Sequence, residues 1–281
     1  MHPARRLWSS LEPLHDVVYF APGVRDAGVA IGLRGFWMTY FAFRAAPLGP
    51  VGAEPVVAAF AGFEPSMVAK ALPEAWARAT PAACLVARSE VSAAALRKVG
   101  VDEAVCATVA AELGPVLAAA DGTGRPLHAA NACLPLPDDP VAALWQVATT
   151  LREHRGDGHV AALVACGLSG LEALLLQVGF GRFPGSQLRS VRGWSEHAWD
   201  SAATGLADRG LLTGDGGLTA AGRELLAEVE ERTDAASWRG GLSAVGEAGV
   251  DRLVEVLAPS VSALWASGVL PEINPTGLER A

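Results

Sequence analysis

At 281 residues, 51% hydrophobic and 19% charged, the chain has core material for one large or two ordinary globular units, and a disordered chain is excluded. A net charge of −8 removes any global attraction to phosphate backbones, so contact with nucleic acid needs a local basic patch. Cys84, Cys106, Cys133 and Cys166 lie far apart with no CxxC pair, which fits small buried thiols and suggests neither a zinc site nor a disulfide framework.

The N-terminal stretch Met1 to Trp8 has neither the apolar run nor the cleavage site of a secretory signal, so the expected location is the cytoplasm. Apolar residues recur at helical spacing almost everywhere while period-2 alternation is scarce, which predicts a mainly α protein. Arg34, Trp37, Tyr40 and Arg44 then fall along one side of a single helix. Such a stripe suits an anionic or flat aromatic ligand, with guanidinium forks for a carboxylate or phosphate and rings for stacking. The plainer alternative buries Trp37 and Tyr40 in the core and pairs the arginines with acids such as Glu54 or Asp26. Pro81 is expected to interrupt the next helix near its start. After Arg88, Ser89-Glu90-Val91 runs straight into further helix.

Residues 121–139, rich in Gly and Pro, are expected to break any helix and to join two units, 1–137 and 138–281. The second unit carries the densest polar cluster, Arg152-Glu153-His154-Arg155-Gly156-Asp157-Gly158-His159. Helix capping accounts for part of it, with Gly156 ending one helix and Asp157 opening the next. It does not account for His154, His159 or the excess of arginine. The matching stretch of the first unit is His15-Asp16, so His15, Asp16, His154 and Asp157 are candidates for acid/base chemistry in one shared cavity. Arg152, Arg155 and His159 join Arg34, Trp37, Tyr40 and Arg44 as candidate ligand contacts. No metal site is expected, because HExxH is absent and glycines separate His154 from His159. No cofactor is implied either, since the phosphate loop, the dinucleotide fingerprint and the Gly-x-Ser-x-Gly elbow are all missing.

The apolar stretch 160–180 is interrupted by Glu172 and glycines and reads as a buried helix, not a membrane span. From Pro184 to Glu230 the pattern is sharper. A short helix over 186–191, a turn at Gly193 and a helix from Ser195 to Arg209 are followed by two short strands around Gly214-Asp215-Gly216, and then by a helix over 220–231 that Thr233-Asp234 stops. Helix, turn, helix, hairpin, helix is a winged helix-turn-helix.

The chain also repeats itself. Gly32-Leu33-Arg34-Gly35 returns as Gly167-Leu168-Ser169-Gly170 after 135 residues, Leu7-Trp8 as Leu144-Trp145, and Val29-Ala30-Ile31 as Val164-Ala165-Cys166, always in the same order. The spacing drifts between 121 and 149 over further short matches.

Ser186-Gln187-Leu188, the segment Trp194 to Gly210, Asp208-Arg209-Gly210-Leu211-Leu212 and Leu218-Thr219-Ala220-Ala221-Gly222 resemble the core of MarR-type winged-helix proteins. Through Arg44-Ala45-Ala46-Pro47-Leu48-Gly49 and 152–159 the whole chain also resembles a family of actinobacterial proteins of roughly this length, labelled helix-turn-helix or MarR-like. The resemblance implies a homodimeric fold of half this length, whose ligands bind where the dimer body meets the winged helix. Together with the repeat it predicts tandem winged-helix-like halves in one chain, a monomer acting as a pseudo-dimer.

For DNA the residues are mixed. Arg182, Arg189 and Arg192 can touch phosphates, whereas Trp194 to Arg209 carries Glu196, Asp200 and Asp208 against one arginine, and the hairpin tip carries Asp215. The expected function is a ligand-responsive regulator with weak DNA binding. The alternative is a winged-helix scaffold that has lost DNA and performs acid/base chemistry with His154, Asp157 and His15. The expected partners are a small anionic or aromatic ligand and weakly held DNA, with no membrane.

Overall fold

The computed structural model describes residues 1–278 and 280. Among these, fourteen α-helices make up 70% of the chain and there is no strand. The first nine are α1 (Pro3–Phe20), α2 (Val24–Ala30), α3 (Gly35–Ala45), α4 (Ala53–Ala59), α5 (Pro65–Ala69), α6 (Pro81–Lys98), α7 (Glu103–Ala118), α8 (Pro126–Ala132) and α9 (Pro140–Ala165). The remaining five are α10 (Gly170–Gly179), α11 (Gly185–Arg192), α12 (Glu196–Asp208), α13 (Ala220–Arg239) and α14 (Glu247–Ala266).

Two apolar cores organise these helices. The larger takes Leu7, Leu11 and Leu14 of α1, Phe41 of α3, Leu96 of α6, Leu113 of α7, Leu144 and Trp145 of α9, and Leu253 and Leu257 of α14. In it α1 lies against α9 and α14, while α9 lies against α1 and α7. The smaller core joins Leu175, Leu176, Leu188, Trp199, Leu206, Leu212, Leu218 and Leu226, and so holds α10, α11, α12 and the start of α13 as a lobe. Gly170, at the start of α10, lies so close to the first half that an added Cβ would sit 1.8 Å from the carbonyl oxygen of Ala61.

The two matching tetrapeptides close their helices with the same turn. The amide of Gly32 bonds the carbonyl of Val29 at 3.0 Å and that of Leu33 bonds Gly28 at 3.0 Å; Gly167 bonds Val164 at 3.1 Å and Leu168 bonds Leu163 at 2.9 Å. All four pairs are related by the same shift of 135 residues. Gly32 and Gly167 both have positive φ, +100° and +65°, in the left-handed region that side chains avoid, which explains the glycine at both positions.

The segment 184–230 keeps the helices its sequence pattern predicts but not the strands. Ser195 caps α12 by accepting from the Ala198 amide at 3.1 Å, and Thr219 caps α13 by accepting from Gly222 at 3.0 Å. The predicted hairpin is reduced to one antiparallel bridge between Leu212 and Leu218, flanked by Thr213–Gly217 and Thr219–Leu211 backbone bonds.

Several boundaries differ from the expectations. Gly156, Asp157 and Gly158 do not end a helix: α9 runs through them because it is buried along most of its length. There Gly158 faces Arg125 and Ala236. The Asp157 carboxylate does cap a helix, but across space, accepting from the His128 amide in the first turn of α8 at 2.9 Å. Thr233 and Asp234 do not stop α13, since the Thr233 hydroxyl bonds back to the Val229 carbonyl at 2.7 Å and Asp234 is taken up by arginines. Residues 121–139 contain α8. Pro81 opens α6, with Thr80 as its cap, which is where a helix tolerates proline.

Candidate ligand chamber

The long helix α9 carries the polar cluster into the interior. Glu153, 1% exposed, receives Arg44 of α3 as a bidentate fork at 2.9 and 3.1 Å and Arg152 at 3.0 Å. Arg152 also reaches Glu12 of α1 at 3.4 Å. Burial acts to raise the Glu153 carboxyl, but the guanidiniums of Arg152 and Arg44 outweigh it and hold the group well below the usual carboxylate range. Burial pushes Glu12 up, and it pushes Asp16, which also faces Glu12, well above its ordinary value.

Beside this network is a small chamber lined by His15, Val18, Tyr19, Tyr40, Phe43, Arg44, Arg88, Trp145, Thr149 and Glu153. Its cavity volume is about 10 Å³, room for about one water. His15 is the centre of a hydrogen-bonded row: its Nε2 is 2.9 Å from the Tyr19 hydroxyl and its Nδ1 is 2.9 Å from that of Thr149. Burial, reinforced by Arg152, holds His15 well below its ordinary pKa, so the ring is neutral at pH 7. A neutral imidazole between two hydroxyls can pass or accept a proton, and the aromatic walls can hold a flat body.

The structure brings together Tyr40, Arg44 and His15 from the candidate set, and places the others elsewhere. Arg34 stands at the surface just before α3, outside the helix, and pairs with Glu74 at 3.1 Å, its side chain 67% exposed. Trp37 is half-buried among Phe36, Tyr40, Phe41 and Phe63. Asp16 faces away from His15 and accepts from Thr276 at 2.7 Å. Arg155 is shared by Glu230 and Asp234, both at 3.0 Å, with its guanidinium 4.5 Å from the Trp8 ring centroid. His159 meets the Thr233 hydroxyl at 3.2 Å. His154 lies in a separate buried spot, its ring 4.6 Å from that of His128, and burial, with His128 and Arg125, lowers its pKa to about 3. Burial raises Asp157 to about 7 against the opposing His128 amide. The four residues expected to share one cavity therefore occupy several places. Among the described residues no three His, Cys, Asp or Glu side chains are placed to hold a metal ion.

Sequence reasoning passed over Arg88, Tyr19, Trp145 and Thr149. Arg88 had one legible sign: with Cys84 and Ser92 it repeats every fourth residue on α6, a polar line within an Ala-rich helix whose members are all buried.

The solvent face of α12 presents Glu196, His197, Asp200, Ser201, Thr204 and Asp208. Arg209 is committed to Glu172 at 2.7 Å and to the Gly167 carbonyl. Of the three arginines before α12, Arg192 donates to the Pro275 carbonyl at 2.6 Å and lies over the Phe63 ring at 4.4 Å. Arg182 bonds Gln177 at 2.9 Å, and Arg182 and Arg189 are half-exposed at the lobe surface.

Among the described residues no single helix is long and apolar enough to cross a membrane; α9 and α10 meet the requirement only as a pair bent by 94°. No curated protein and no solved structure matches the chain. A family model described as a helix-turn-helix family matches residues 4–271, which is nearly the whole chain. The chain belongs to the helix-turn-helix family.

Proposed function

We propose that the protein is a ligand-responsive regulator built as a single-chain pseudo-dimer of two winged-helix-like halves, only the second of which keeps a reading head. The observation that carries the ligand site is the chamber itself. Its walls come from α1, α3 and α6 of the first half and α9 of the second, so an occupant touches both halves. The reciprocal packing of α1 on α14 and of α9 on α7, and the repeated turn after 135 residues, support the pseudo-dimer. Cytoplasmic location and a boundary at 137/138 belong to the same reading.

DNA binding on this account is weak and rests on phosphate contacts from Arg182 and Arg189, with Arg192 drawn inward. Fluorescence anisotropy on DNA from upstream of the protein's own gene tests it. Two phosphate contacts predict that log K falls against log salt with a slope of about −2. Absence of binding even at low salt contradicts it.

The acidic solvent face of α12 favours a second reading, in which the scaffold has left DNA and become an enzyme. His15, in contact with Tyr19 and Thr149, is then the acid/base residue nearest an open space, with His154 and Asp157 remote from it. Retention of full activity and ligand affinity by both His15→Gln and His154→Ala excludes this reading.

A further inference from the structure

The turn that joins α11 to α12 is fastened to the first half of the chain. The Glu64 amide donates to the Arg192 carbonyl at 2.9 Å, and the Trp194 indole nitrogen donates to the Gly62 carbonyl at 3.0 Å. Between them Gly193 lies so near Met67 that an added Cβ would sit 2.8 Å from its sulfur. The Arg192 side chain completes the contact: its guanidinium lies over the Phe63 ring at 4.4 Å and donates to the Pro275 carbonyl at 2.6 Å. The segment that supplies Pro275 is itself anchored to the body, because Thr276 donates to Asp16 of α1 at 2.7 Å and Leu270 and Leu278 are buried in the larger core. Asn274, also buried, shapes that segment by accepting from the Leu278 amide at 3.0 Å and donating to the Pro271 carbonyl at 3.1 Å.

For a guanidinium this is a weak holding place. Its partners are a neutral carbonyl and a ring, and its Nε is buried without a hydrogen-bond partner. Burial lowers the Arg192 pKa, and the guanidiniums of Arg44 and Arg152 push the same way. A phosphate oxygen offers the same group a charge-assisted bond, roughly twice as strong as a neutral one. Arg189, half-exposed, stands three residues earlier on α11, so a released Arg192 joins it on one face of the helix. We propose that residues 62–67 and 273–276 form an autoinhibitory latch, which holds the α11–α12 turn on the body and withholds Arg192 from DNA phosphates until it opens. The proposal rests on the lobe being the part that meets DNA. Closed, the lobe offers phosphates Arg182 and Arg189; open, it offers a third arginine.

Trp194→Phe together with Thr276→Val removes one fastening on each side of the latch. Amide exchange without DNA should then be faster over 62–67 and unchanged over α7. Fluorescence anisotropy on upstream DNA across a salt series should show the double variant binding at least about 5-fold tighter than wild type, with the slope of log K against log salt steepening from about −2 to about −3. Adding Arg192→Gln to the double variant should return both Kd and slope to the wild-type values. Unchanged exchange over 62–67 overturns the latch. Faster exchange with unchanged or weaker DNA binding, or a gain that survives Arg192→Gln, overturns its inhibitory role and leaves the regulator standing. Absence of DNA binding by wild type and variant alike at low salt removes the regulator, and the inhibition with it. Should the double variant not fold, Thr276→Val alone is read by the same two measurements against the same outcomes.

Discussion

Glu153 is the residue on which the interior charges converge. It neutralises Arg44 and Arg152 at once, and removing it leaves two buried guanidiniums with only Glu12 beside them. Glu153→Gln should therefore lower stability by about 3–5 kcal/mol, read as a fall in the urea midpoint at unchanged m-value. A change under about 1 kcal/mol would show that water already screens the pair.

His154 sets a pH dependence with a definite sign. Its folded pKa, about 3, lies below the ordinary value of 6.5, so the unfolded chain binds the extra proton in between. The His154 contribution to stability is complete above pH 6.5 and is lost as pH falls toward 3, by up to about 1.4 kcal/mol per pH unit. Asp157 acts in the opposite sense, because its folded pKa of about 7 favours the folded state as pH drops below 7. The comparison to make is wild type against His154→Gln across pH 7.5 to 4.5. The wild type should lose ground steadily on acidification, and a constant difference would mean that the ring is hydrated.

Among the elements, those with strong local punctuation were legible in the sequence. Ser195, Thr219 and Gly193 marked α11, α12 and α13 because caps and turns act within a few residues. The continuity of α9 was not legible, since Gly156-Asp157-Gly158 has the local chemistry of a helix end and is overridden by burial from α8 and α13. The chamber was half legible: Tyr40 and Arg44 share a helical face, but their meeting with Arg88 and Glu153 depends on how three distant helices pack. The strands were over-read, because Leu212 and Leu218 serve the small core more than a ladder.

Two element-scale tests follow. Gly170→Ala forces α10 away from the Ala61 carbonyl and should cost stability by overpacking, about 1–3 kcal/mol, whereas Gly167→Ala meets nothing and pays only for its positive φ. Urea midpoints for the pair separate contact from conformation, and equal losses would remove the α10–Ala61 contact from the account. The C-terminal segment ties α1 to α11 through Thr276 on Asp16 and Pro275 on Arg192. Thr276→Val should speed amide exchange over 270–278 without altering that of α7. Unchanged exchange would mean that Leu270 and Leu278 hold the segment alone.

For the whole molecule, the proposed pseudo-dimer requires two halves that share an origin and have since departed from each other. The second half carries a helical lobe in which α12 has an acidic solvent face, and the first places Arg44 and Arg88 around a chamber. If chamber and lobe communicate, a ligand must bind one arrangement of the lobe better than another. The direct measurement of the regulator reading is the Kd for upstream DNA in the wild type and in a variant that carries both Arg182→Gln and Arg189→Gln. The account predicts weak, salt-dependent binding in the wild type and a Kd at least about 5-fold higher in the variant. No binding by the wild type even at low salt, or an identical Kd in the two proteins, would contradict it.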